Sequence, residues 1–137
     1  MTRWPDDAPV ALVAQGAALL AAARVAVTLL PVPTVVAAMT RPAAHTAEGP
    51  SPSRVVSLVD GIARRLPWRP TCFERALVSA WLLVRRGRRG RIVVGVVPPG
   101  AARRLKGHAW LEGEGLPCPS AADEVLLTSW AFPAQLE

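Results

Sequence analysis

The stretch RPTCFERALVSAWLLVRRG, residues 69–87, sets the reading of the whole chain. Thr71 and Glu74 stand in the T-x-x-E spacing of a capping box, in which each side chain meets the other residue's backbone N–H, so a helix is predicted to start at Thr71. Phe73, Ala76, Leu77, Ala80, Trp81 and Val84 follow the helical repeat and form its expected buried stripe. Arg85, Arg86 and Gly87 suit its C-terminus, the arginines for the dipole and the glycine for a left-handed cap. Cys72, one of only two cysteines, falls in the first turn and one residue off the stripe.

Working outward, Pro67 separates this helix from a preceding one. Val55, Leu58, Val59, Ile62 and Leu66 form one apolar face, with Ser53 as the expected cap. Before it, RPAAHTAEGPSPS at 41–53 lacks apolar periodicity and reads as a linker that carries His45. From Asp7 or Ala8 to about Leu30 runs an Ala-rich helix with Pro9 near its first turn; Pro31 and Pro33 end it, and TVVAAM at 34–39 adds a short second helix. After Gly87, RIVVGVV at 91–97 is a β-branched run and reads as a buried strand. GHAWLE at 107–112 alternates, with His108, Trp110 and Glu112 on one face and Ala109 and Leu111 on the other. EGEG reads as a hairpin turn, and LPCPS at 116–120 as a proline-interrupted edge strand that places Pro119 opposite His108. DEVLLTSW at 123–130 is too short to classify.

The chain has 137 residues, enough for one domain with a modest core. Its 16 basic against 10 acidic residues give a net charge of +6, and every basic residue but Lys106 is arginine. That balance fits an acidic peptide, nucleic acid or a membrane surface without choosing among them. In RRGRRGR at 85–91, position between a helix end and a strand reads as a solvated connection, and no aromatic side chains are interleaved for base stacking. Cys72 and Cys118 make neither a disulfide framework nor a zinc site, and no cofactor motif is present. The apolar run from Pro9 to Leu30 is long enough to span a bilayer but is mostly alanine and carries Gln15 and Arg24, both costly at depth. A helix in a buried or groove-lining position is expected, with membrane contact the lesser reading and the cytoplasm the expected compartment.

Taken alone, Cys72 is open to two readings, a structural thiol or a nucleophile. The first turn of a helix favours negative charge, and the thiolate is the reactive form of cysteine. His108, flanked by the small residues Gly107 and Ala109, is likewise either an isolated polar residue or the imidazole of a thiol–imidazole pair, drawing the proton from sulfur and returning it to a leaving group. Trp110 reads first as an interfacial core residue and second as a wall beside His108. Glu112 shares the face of His108 but lies four residues along, about 13 Å, too far to hold its ring.

TCFERALVSAWLLVRRGRRGRIVVGV at 71–96 followed by GHAWLEGEG at 107–115 resembles the transglutaminase-like cysteine peptidases that remove leader peptides in lasso-peptide biosynthesis. The resemblance covers about residues 53–120 and implies Cys72 as nucleophile and His108 as general acid/base. Relatives carry an aspartate on the strand across the hairpin, where this chain has Ser120; Asp123 is the nearest downstream carboxylate and is taken as the third catalytic residue, with Ser120 or a backbone carbonyl as the alternative.

The expected fold is α+β, a transglutaminase-like or papain-like core with N-terminal helices and a small antiparallel sheet. Residues 1–40 form a helical arm, 41–52 a linker and 53–137 the peptidase core, one compact domain overall. By resemblance, the partners are a lasso-peptide precursor, a leader-binding module expected as a separate protein, and an ATP-dependent macrolactam synthetase. Two rivals stand beside this reading: a catalytically silent scaffold or substrate-binding module of the same fold, and a small basic nucleic-acid-binding protein.

Overall fold

A computed structural model of the chain describes residues 10–42, 51–97, 106–113, 115–116 and 125–133. Its elements are helices α1 (Val10–Leu29), α2 (Val32–Met39), α3 (Pro52–Arg65) and α4 (Cys72–Val84), then strands β1 (Gly90–Val97), β2 (Lys106–Gly113) and β3 (Val125–Phe132). The three strands form one antiparallel sheet in the order β2-β1-β3. The α+β architecture is as expected.

Helix starts and stops follow local chemistry, with small corrections. Ser51, not Ser53, caps α3: its side chain accepts the Arg54 N–H, and Pro52 takes the first helical position, where its missing donor costs nothing. The helix ends at Arg65 because Leu66, placed before Pro67, is extended (φ −80°, ψ 149°). Pro31 and Pro33 do separate α1 from α2, yet α2 begins at Val32, with Pro33 inside its first turn rather than before it. Asp7, Ala8 and Pro9, the expected start of α1, lie outside the described residues. At the far end of α4, Gly87 adopts φ +73° and the Arg88 N–H returns to the Leu83 carbonyl, so the left-handed stop is present.

The larger correction concerns α4, which is buried nearly all round and not along one stripe. Val78, Ser79, Leu82 and Leu83 are buried together with Ala76, Leu77, Ala80 and Val84, while Phe73 and Trp81 are only half-buried. The cause is its position: α1, α2, α3, β1 and β2 all pack on it. Leu20 and Ala23 of α1 and Val35 and Val36 of α2 join Val55, Val59, Leu77 and Ile92 in one apolar cluster. Among the described residues no helix is long and apolar enough to cross a membrane.

β1 is the central strand. Gly95 faces His108 of β2, and a register shift between Val94 and Gly95 leaves Leu127 of β3 without a partner on β1. Among the described residues β2 is an edge, so alternate N–H groups along it point away from β1. The turn at the end of β2 is present at Gly115 (φ +77°), where the Leu116 N–H returns to the Gly113 carbonyl. Residues 117–124, which include Cys118, Pro119, Ser120 and Asp123, lie outside the described residues. The strand at 125–132, left unclassified above, pairs with the far side of β1.

One polar contact ties α1 to the start of α4. Arg24 Nε lies 3.0 Å from Glu74 Oε1, and Arg24 Nη2 donates to the Arg69 carbonyl at 2.8 Å. Glu74 is 2% exposed, so removing Arg24 leaves a buried carboxylate with less compensation. Arg24→Ala is expected to cost about 2 kcal/mol, below the roughly 3–5 of a fully buried pair because the arginine is partly solvated. Chemical denaturation of Arg24→Ala, Glu74→Gln and the double variant checks this: the double variant should lose less than the sum of the two, and additive losses would show that the pair is not coupled.

Candidate active site

Residues 66–68 bend and 69–70 lead into α4, before which Thr71 takes β-region angles (φ −72°, ψ 163°). Its hydroxyl accepts the Glu74 N–H at 3.1 Å, and Glu74 Oε1 accepts the Thr71 N–H at 3.5 Å, so both arms of the capping box are closed. Cys72 is therefore the first helical residue, as the spacing predicts. Its thiol is free and half-buried.

The start of α4 abuts the open edge of β2. There the Ala109 N–H, which points away from β1, donates to Cys72 Sγ at 3.3 Å. The sulfur thus lies at the start of α4 and accepts one backbone hydrogen bond from β2. The residue before Ala109 is His108, and both it and Cys72 line one cleft of about 300 Å³. The expected alternation along β2 holds: Ala109 and Leu111 are buried, while His108 and Glu112 are exposed.

Trp110 corrects the first reading given for it. It is half-buried, lines the cleft, and stacks on the His108 ring with centroids 5.5 Å apart and planes 23° from parallel. Its indole Nε1 donates to Glu112 Oε1 at 3.2 Å. Glu112 thus sits too far along the strand to touch His108, as expected, but holds the ring that does. Asp123 and Ser120 lie outside the described residues, so the third position carries no geometry.

The opposite wall of the cleft holds residues that sequence reasoning passed over. Asp60 of α3 and Arg75 of α4 line it with Ser79, and Arg75 Nη1 donates to Asp60 Oδ1 at 3.5 Å. Arg75 follows Cys72 by three positions, which puts both on one helix face and was a signal available in the sequence. Asp60 had none, since its role depends on how α3 meets α4. Burial pushes the Asp60 carboxyl above its ordinary value, and the nearby Arg75 and Arg64 only partly oppose this. The basic run at 85–91 has structural work: Arg85 lies over the Trp81 ring and Arg86 donates to the Leu82 carbonyl, both at the end of α4, and Arg91 reaches Ser129 across the sheet.

Comparison with known proteins completes the picture. Residues 13–127 match the model of the transglutaminase-like superfamily. The chain belongs to that superfamily. No curated protein and no solved structure matches it. The superfamily includes cysteine peptidases, and the matched span runs from α1 through β2 and into β3, taking in both Cys72 and His108.

Asp60 gives a pH prediction. Its folded carboxyl holds a proton at pH values where the unfolded chain has released it, so folding loses stability as pH rises from about 3.8 through the raised folded value. Asp60→Asn should remove that loss: the stability difference between variant and wild type should grow in favour of the variant across the window and stay level above it. Urea melts at a series of pH values measure it, and a difference that is flat with pH would show that Asp60 is not the titrating group.

Proposed function

We propose that this chain is a cysteine peptidase that removes the leader from a lasso-peptide precursor. The observation that supports this best is that Cys72 and His108 line one cleft, with the sulfur at a helix start against the Ala109 N–H. The leader specificity rests on the sequence resemblance at 71–96 and 107–115.

In this reading Cys72 Sγ attacks the carbonyl carbon at the leader–core junction while its proton passes to His108. The tetrahedral oxyanion collapses to a thioester on Cys72, the C–N bond breaks, and His108 protonates the departing core amine. Water, deprotonated by His108, then hydrolyses the thioester and releases the leader acid. The Cys72 N–H at the helix start is one oxyanion donor. Asp123 remains the proposed third member, and the cytoplasm the proposed compartment.

The partners are a separate leader-binding module and an ATP-dependent macrolactam synthetase that uses the freed amine. Val25, Leu29 and Leu30, 56%, 74% and 50% exposed at the end of α1, form an apolar surface suited to one of them. Leu29→Glu should keep basal cleavage and thermal stability while lowering stimulation by the leader-binding module; undiminished stimulation would remove this surface from the interface.

The central test is cleavage of a lasso precursor encoded beside this chain, with the leader-binding module present. Wild type should cut at the leader–core junction, and Cys72→Ala and His108→Ala should lower the rate by roughly three orders of magnitude or more. Cutting that persists in Cys72→Ala would overturn the assignment. Absence of cutting by wild type, with the precursor verified as matured by the intact gene set, would favour a silent scaffold of the same fold.

A further inference from the structure

We infer that Trp110, braced by Glu112, is the positioning residue that holds the His108 imidazole toward Cys72; this rests on the thiol–imidazole reading above. The imidazole sits on an edge strand with its ring exposed, and an exposed side chain samples several rotamers unless something restrains it. The usual restraint is a carboxylate on one ring nitrogen. Asp123, the carboxylate proposed for that role, lies outside the described residues.

What the His108 ring does have is a near-parallel partner. Two rings whose planes differ by 23° at 5.5 Å meet over their faces, which restricts rotation about both side-chain bonds of the histidine. The platform is itself fixed. Trp110 is half-buried against the cleft, and its only polar atom is tied to Glu112 Oε1. Alternation makes this possible, since residues 108, 110 and 112 stand in a row on one face of β2 and each can touch the next. The charged groups that share the cleft, Asp60 and Arg75, pair with each other on the opposite wall. Stacking engages the faces of the ring and leaves its edge, where the nitrogens lie, open to hydrogen bonding. Trp110 acts through His108 and not on the scissile bond, which separates it from a wall that binds substrate.

The test combines turnover with two readouts that need no substrate. Trp110→Ala should lower kcat by roughly ten- to a hundredfold with KM changed less than about threefold, the size expected for a misplaced catalytic group. Trp110→Phe, which keeps a stacking face, should recover most of the loss, and Glu112→Ala should fall between them. The chain has two histidines, so the His108 ring protons are assigned by NMR with a His45→Gln variant. They should show an upfield ring-current shift that Trp110→Ala abolishes and Trp110→Phe keeps. The pH profile of iodoacetamide alkylation at Cys72, followed by peptide mass spectrometry, should move in Trp110→Ala in the direction it moves in His108→Ala. A Trp110→Ala profile identical to wild type beside a shifted His108→Ala profile overturns the positioning role. A raised KM with unchanged kcat also overturns it, making Trp110 a substrate wall. A His108→Ala profile identical to wild type instead brings down the thiol–imidazole reading, and the positioning role with it.

Discussion

Glu74 has to satisfy three demands from a nearly waterless position. Its carboxylate accepts the Thr71 N–H, lies against the Arg24 guanidinium, and sits three residues into a helix whose first turn favours negative charge. Arg24 in turn spends a second nitrogen on the Arg69 carbonyl in the segment that leads into the helix. One arginine on α1 thereby fixes both the residue that caps α4 and the chain just before it. Since Cys72 lies between Arg69 and Glu74, its backbone is held at both ends by the same group. The Cys72 sulfur is placed by an ion pair that it does not touch.

The burial of α4 carries this placement to the sheet. A helix covered by α1, α2, α3, β1 and β2 has little freedom to rotate or slide, so its first residue arrives at a set point beside β2. An exposed strand edge is ordinarily a liability, because its outward N–H groups invite another strand. Here the start of α4 covers that edge, and the Ala109 N–H is used by the sulfur. The same edge position brings His108 into the cleft, so one packing arrangement protects the strand and assembles the site.

The parts legible in the sequence are those whose causes are local. The capping box at Thr71 and Glu74 marked Cys72 as the first helical residue, and the spacing of Val55, Leu58, Val59 and Ile62 marked the buried face of α3. Alternation at 108–112 gave the two faces of β2. Errors of one or two residues arose where two candidates compete, as with Ser51 and Ser53, and Pro52 decides for Ser51 because a proline at the first helical position needs a capping residue directly before it. What the sequence hid depends on distant neighbours. Arg24 looked like a blemish in an apolar helix until Glu74 stood beside it. The strand at 125–132 needs β1 as a template, and its pattern is interrupted where the register shifts. Trp110 carries no mark of its use, since a tryptophan suits a core and a stacking platform equally well.

Glu74 and Arg75 are adjacent in the chain and separate these two kinds of information physically. Glu74, itself buried, is turned toward α1 and lies 3.0 Å from a partly solvated Arg24; Arg75 is turned toward α3 and meets Asp60 at 3.5 Å beside open cleft. Both contacts are longer than the 2.7–2.9 Å typical of a charge-assisted bond, and the longer of the two is the one that borders the cleft. Asp60 keeps its carboxyl there although burial opposes its ionisation, and Arg75 Nε is buried without a hydrogen-bond partner among the described residues. The pair is about a third exposed, so both groups stay within reach of a molecule entering the cleft, one helical turn from a free thiol.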